Sequence, residues 1–263
     1  CKPTRSAVKN TRDGWDATPF MDRKQYMKDI YPKYWITARD KIYGFSEYDK
    51  SLCRYLQDRV PGGEKLLEVA VGTGYPVADF LEKAGYALYG IDISSDLIGK
   101  CRQINPNIKC MVSDVEDLPY PDNSFGCTYC FHSTWYFTNL IKAIDEMLRV
   151  TRSSGLVIFD IQNRNAKKIE EAYRRRLAAN RITGRMTRYG KSLAKIILRR
   201  GRPEWHSVVH EVPTYPEILY QYFEQRGVSD FVDMIRKDDQ ALILGDGKNS
   251  YQDYDRLIFA IKR

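Results

Sequence analysis

From Leu66 to Gly74 the chain reads Leu-Leu-Glu-Val-Ala-Val-Gly-Thr-Gly, and 18 residues past Gly74 a second apolar stretch, Gly90-Ile91-Asp92-Ile93, carries a carboxylate. An apolar run that breaks into Gly-x-Gly predicts a buried strand feeding a tight turn, where a ligand can approach bare backbone. Pro76-Val77-Ala78-Asp79-Phe80-Leu81-Glu82-Lys83 then predicts a helix, with Pro76 tolerated in its first turn. Asp92 falls at the carboxyl end of the second strand, placed to accept hydrogen bonds from ribose hydroxyls. Strand, glycine turn, helix, strand and carboxylate in that order open a doubly wound sheet with a site for a nucleoside-containing cofactor.

Two details separate the cofactors. A dinucleotide fingerprint needs G-x-G-x-x-G, but Gly72-Thr73-Gly74 is followed by Tyr75, Pro76 and Val77, so the third glycine is missing. Glu68, four residues before Gly72, puts a carboxylate in the first strand, which suits a cationic ligand and repels a diphosphate. This pattern resembles the first motif of the class I S-adenosylmethionine (SAM) dependent methyltransferases, with Ala70 in place of that motif's first glycine. The stretch from Met111 to Gly126, containing Asp114 and Val115, is similar to the family's third region. The resemblance implies SAM as cofactor and a cofactor site built from Glu68, Ala70, Gly72, Gly74, Asp92, Ile93, Asp114, Val115 and Phe131, with Asp114 and its neighbour at the adenine.

The order of the following segments extends the likeness from about Lys65 to Ile161. Cys127 to His132 reads as a fourth strand and Asn139 to Val150 as a helix with one apolar stripe. A Ser153-Ser154-Gly155 turn leads into Leu156 to Ile161, apolar almost without alternation, as a strand covered on both faces should be. Beyond it, Trp205 to Pro213 alternates weakly as a strand, Thr214 and Pro216 open a helix ended by Gly227, and Asp230 to Ile235 and Arg256 to Lys262 read as the last strands. Asp238 to Asp255 reads as a loop. The expected fold is α/β: a doubly wound, seven-stranded, mostly parallel sheet with an antiparallel last strand, a Rossmann-like methyltransferase fold. Its expected parts are an N-terminal helical cap (1–60), a SAM-binding core (61–163), a basic helical insertion or lid after the fifth strand (164–204) and the C-terminal part of the sheet (205–263).

Charge is concentrated. Arg164 to Arg202 holds 14 Lys or Arg against Glu170 and Glu171, while the chain as a whole carries +8. Two helices, about Asn165 to Ala179 and Lys191 to Arg200, account for this insertion. It suits a solvated lid, a patch for an anionic small molecule or membrane surface, or an RNA-binding face. No apolar run reaches the length of a membrane span, the first residues lack the apolar core of a secretory signal, and the six cysteines show no disulfide framework, so the cytoplasm is the expected compartment. Cys127 and Cys130 form a C-x-x-C, but in a strand they face opposite sides, and no metal site is expected.

Holding nucleophile, methyl carbon and sulfur in line is most of what methyl transfer requires. A hydroxyl acceptor also needs a base, whereas an unprotonated amine does not. His132, at the carboxyl end of the fourth strand, is the candidate base. Trp135 and Tyr136 directly after it, Tyr31 in the aromatic N-terminal segment, and His206 and His210 are candidate substrate contacts, with Glu211 beside the latter. Trp15, Tyr26 and Tyr34 are further aromatics of that segment placed to line the site. His206 and His210 would lie about 13 Å apart on one strand, too far to share a metal. The expected function is methylation of an oxygen or nitrogen of a small molecule, anionic or glycosylated, with a sugar the preferred acceptor. The rivals are an RNA methyltransferase using the basic insertion and a non-catalytic SAM-fold subunit that binds a partner.

Overall fold

A computed structural model describes residues 23–33, 35–36, 44–180, 211–237, 241–244 and 254–263. Among these residues one sheet has eight strands: β1 (Lys65–Val69), β2 (Ala87–Asp92), β3 (Lys109–Val112), β4 (Phe125–Cys130), β5 (Thr151–Gln162), β6 (Phe231–Lys237), β7 (Ala241–Leu244) and β8 (Arg256–Lys262). Their order is β3-β2-β1-β4-β5-β8-β6-β7. The β1–β5 half is parallel, and β8 runs antiparallel to both β5 and β6. The expected α/β sheet is therefore present, with one strand added at its edge. Ala241-Leu242-Ile243-Leu244 lies inside the segment expected to be loop; it is a short apolar run that pairs antiparallel with β6. Its insertion means that β6 and β8 pair, but not as a simple hairpin.

Among the described residues the α-helices are α1 (Arg23–Asp29), α2 (Glu47–Gln57), α3 (Val77–Lys83), α4 (Ser95–Ile104), α5 (Leu140–Val150), α6 (Lys167–Asn180) and α7 (Pro216–Arg226). Local chemistry sets their ends. Ser46 and Asp49 form a reciprocal capping box on α2, Ser94 caps α4, Asn139 caps α5, and Gly227 closes α7 in the left-handed conformation. α6 occupies the first half of the basic segment; the second expected helix there lies outside the described residues.

Alternation along the strands divides the core into two layers. Leu66, Tyr129, Ile158 and Ile258 pack with Leu52, Leu56, Leu81 and Ile98 on one face. Leu67, Cys130, Phe159 and Phe259 pack with Ile144, Met147 and Phe223 on the other. Cys127 belongs to the first layer and Cys130 to the second, so the C-x-x-C thiols are separated by the sheet itself.

Two expectations change in detail. The Ser153–Gly155 turn is absorbed into β5, with Ser154 at φ 62° and a register shift against β4 between Phe125 and Cys127. Residues 211–213 are not a strand; Val212 N–H instead donates to the Trp135 carbonyl at 2.7 Å, and Thr214 makes an isolated bridge to Asn163. The rest of that expected strand, with His206 and His210, lies outside the described residues, as do Trp15 and Tyr34.

Candidate active site

The carboxyl ends of β1, β2, β4 and β5 open onto a cavity of about 460 Å³, within the usual range for small-molecule sites. One end is built from consecutive strand-turn-helix units. Glu68 is buried in its wall and accepts a hydrogen bond from Tyr129 Oη at 3.2 Å. Ala70 takes a left-handed φ of 58°, where a residue with a Cβ is strained by about 1–2 kcal/mol and the motif's usual glycine is not. Gly72 follows at φ 57°, its N–H directed to Asp92 Oδ2 at 3.0 Å. The other Asp92 oxygen accepts from Ser94 N–H at 2.9 Å. The Ile93 N–H also donates to this carboxylate, and Asp92, Ile93, Val115 and Phe131 all line the cavity. Burial pushes the Asp92 carboxyl up to about 6, against the pull of those backbone donors.

Gly74 ends the same turn. It does not line the cavity; a Cβ there would meet Asn105 Nδ2 at 2.9 Å and Cys101 Sγ at 3.0 Å, and its φ is 81°. The last glycine of the motif lets the loop seat closely against α4.

At the far side of this half, Asp114 lines the cavity beside Glu116, and Lys24 of α1 bridges the two at 2.6 and 2.9 Å. Burial alone would raise the Asp114 carboxyl; the Lys24 ammonium and the Glu116 N–H hold it below its ordinary value.

The acceptor-side half is assembled from distant parts of the chain. His132 stands just past β4 at φ 62° and lines the cavity. Its Nε2 lies 2.6 Å from Oδ1 of Asp49 on α2, whose carboxylate is buried. Desolvation of Asp49 is outweighed by His132 and by Ser46, so its carboxyl is held below the usual range and it accepts a proton-bearing Nε2. Its Oδ2 takes the N–H and hydroxyl of Ser46 at 3.0 and 2.7 Å. Tyr31, Trp35, Trp135 and Tyr136 supply the aromatic wall. Tyr31 stacks on Trp35 at 5.6 Å and donates its hydroxyl to Tyr136 Oη at 3.1 Å. Tyr136 in turn reaches Glu211 at 3.3 Å, and Arg176 of α6 closes on Glu211 at 2.5 Å. Burial, then the neighbouring Glu211, pushes the Tyr136 hydroxyl up to about 12. Tyr26 is buried but is not in the cavity wall.

Several residues of this half are not predicted from sequence. Asp49 carries a faint signal, as the last residue of the Ser46-x-x-Asp49 capping box. Asp160 carries a better one, as an acid inside the apolar run of β5. Lys24, Tyr48, Arg236 and Arg256 also line the cavity and carry no local signal.

Residues 67–159 match the family model described as a methyltransferase domain. That span contains the glycine turn, Asp92, Asp114 and His132. That span is a methyltransferase domain. The methyl donor of this family is SAM, and the buried Glu68, the backbone-anchored Asp92 and the Asp114 pocket are a donor set that fits its ammonium, ribose and adenine in turn.

Among similar proteins, a demethylmenaquinone methyltransferase of Renibacterium salmoninarum is 29% identical over 49% of this chain and 54% of its own length. A ubiquinone/menaquinone biosynthesis C-methyltransferase of Pseudomonas putida is 32% identical over 43% of this chain and 48% of its own. The chain thus spans about half the length of the curated relatives it matches. A SAM-dependent methyltransferase of Thermotoga maritima, described as a possible histamine N-methyltransferase, shares the fold over 91% of this chain and 97% of that one, with a TM-score of 0.55 and 15% identity. Among the described residues no helix is long and apolar enough to cross a membrane.

Proposed function

We propose that this protein transfers a methyl group from SAM to a hydroxyl oxygen of a small, ring-bearing molecule. The observation that carries the reading is the pairing of His132 with the buried Asp49 at 2.6 Å in the wall of the same cavity that Glu68, Asp92 and Asp114 line. When bound, SAM supplies an electrophilic methyl group on a sulfonium.

The protein's own work is binding, orientation and proton removal. Asp92 holds the ribose, Asp114 and Val115 flank the adenine, and Glu68 with the 70–72 backbone takes the cationic end. Asp49 fixes the imidazole through Nε2 and favours the proton there, which leaves the Nδ1 lone pair to accept the acceptor's proton. The arrangement is that of a base oriented by a carboxylate, and it is what a hydroxyl nucleophile needs and an amine does not. Tyr31, Trp35, Trp135 and Tyr136 offer flat faces against which a sugar or aromatic ring can lie.

A second reading draws on the printed names of the relatives, which include quinone-pathway C-methyltransferases. There, loss of a phenolic proton to the same histidine would make a ring carbon the nucleophile. The buried, cavity-facing positions of Glu68 and Asp92 weigh against a non-catalytic subunit, because a scaffold gains nothing from burying two carboxylates in a cavity wall.

The test joins calorimetry with S-adenosylhomocysteine (SAH) to turnover across a panel of sugars and phenols. His132→Ala should keep SAH affinity within about twofold and lose about 10²–10⁴-fold in turnover of whichever acceptor is used. Near-normal turnover of that variant at saturating acceptor would make His132 a wall residue and remove the reading.

A further inference from the structure

We propose that Asp160 is a positioning residue that sets both the backbone and the charge environment of His132, and this rests on the reading of His132 as the proton acceptor. Asp160 is completely buried near the end of β5, and it is an acid within that strand's buried stretch, residues 155–162. Its Oδ1 accepts the backbone N–H of His132 at 2.8 Å. His132 has φ 62°, a conformation that costs a residue with a Cβ about 1–2 kcal/mol, so something must hold it there. This bond does so, and Thr134 Oγ1, donating to the Asp160 carbonyl, fixes the same turn one step further along.

The second oxygen gathers the rest of the wall. Oδ2 accepts from Arg256 Nη1 of β8 at 3.1 Å and from Tyr48 Oη of α2 at 3.3 Å. Arg256 lies over the Trp135 ring with its guanidinium carbon 3.8 Å from the centroid. One carboxylate therefore ties together α2, the turn after β4, β5 and β8, and through Arg256 it fixes the indole that faces the acceptor.

Asp160 Oδ2 is 3.8 Å from His132 Nδ1, too long for a hydrogen bond but close enough for a strong charge effect. When Nδ1 takes a proton, the imidazolium forms between two carboxylates: Asp49 on the Nε2 side and Asp160 on the Nδ1 side. Among the described residues, the other charged or titratable groups facing this cluster include Arg256 on β8, paired with Asp160, Arg236 on β6, which lies 4.9 Å over the Tyr48 ring, and the buried thiols of Cys130 beside Asp160 and Cys53 beside Asp49, both held protonated by burial. Tyr48 itself meets the imidazole edge-on at 5.5 Å, and burial raises its hydroxyl far out of the working range.

The test uses the intact protein loaded with SAH and follows the imidazole signals by ¹⁵N NMR between pH 5 and 9. The chain has three histidines, and a His132→Gln spectrum assigns the one of interest. Asp160→Asn keeps an oxygen for the His132 N–H but removes the charge; the His132 titration should move down by about one to three pH units. Arg256→Gln removes the opposing cation and leaves the carboxylate, so the titration should move up. A merely structural role would not produce opposite shifts.

If neither variant moves the titration, or both move it the same way, the proposal is wrong. Should Asp160→Asn fail to fold, Arg256→Gln decides alone: an upward shift supports it and an unchanged or lowered midpoint overturns it. The two readings fail separately. Normal turnover in His132→Ala removes the proposed function, whereas an inactive His132→Ala with an unmoved titration in both other variants removes only the role of Asp160.

Discussion

Asp92 offers the most direct quantitative test of the cofactor half. Its carboxylate is buried against the backbone donors of Gly72, Ile93 and Ser94, and burial lifts it from an ordinary value near 3.8 to about 6. The raised value means that between about pH 4 and pH 6 the folded protein binds the proton more tightly than the unfolded chain. Stability therefore falls as pH rises through that window, by about 3 kcal/mol for two units, and stays at the lower level above it.

Ligand binding has the opposite sign. Ribose hydroxyls donate to the ionised carboxylate, so SAH affinity should rise with pH up to about 6 and level off above. At pH 5 roughly a tenth of the unliganded protein is ionised at this position, so affinity should be about tenfold below its pH 7.5 value. Asp92→Asn loses the charge and one acceptor oxygen, which should weaken binding by about 1.5–3 kcal/mol and flatten the pH response. Asp114 and Asp49 are held below the ordinary carboxylate range and are already ionised across this window. Calorimetry with SAH from pH 5 to 8 on both proteins is the assay. A flat wild-type affinity, or an Asp92→Asn variant with the same pH slope, would refute the assignment of Asp92 to the ribose.

Two further outcomes are expected. Gly90 on β2 has no room for a side chain, since an added Cβ would lie 2.8–2.9 Å from Val71 Cγ1, Cβ and Cγ2; Gly90→Ala should cost about 1–3 kcal/mol of stability and, by displacing the Val71-Gly72 turn, weaken SAH binding, so an unchanged melting temperature and affinity would count against that packing. Reversal of Arg174, Arg175 and Arg176 to Glu should leave RNA binding at physiological salt as weak as in the wild type, because the proposed acceptor is small; sub-micromolar RNA affinity that falls steeply with salt and vanishes in the variant would overturn the choice of substrate class.

The two halves of the cavity differ in how much of them the sequence discloses, and the reason is contact order. The cofactor half comes from consecutive strand-turn-helix units, so its signals are local: Glu68, Gly72 and Asp92 lie within 25 residues and all line the cavity. Even there a motif position does not fix a role. Gly74 fits the pattern yet supports α4, and Ala70 occupies a left-handed position that the pattern assigns to glycine. The acceptor half is built by long-range closure. Asp49 meets His132 across 83 residues and Arg256 meets Asp160 across 96. The capping-box spacing of Asp49 and the apolar run around Asp160 mark those residues but not their partners, because only the sheet order β4-β5-β8 and the cap helix bring them together. His132 is legible as a strand-end residue, but its pairing with the two carboxylates that give it a chemical role is not. A change of acceptor within this fold would accordingly fall on α2, β8 and the turn after β4, while Glu68, Asp92 and Asp114 stay fixed by a cofactor that does not change.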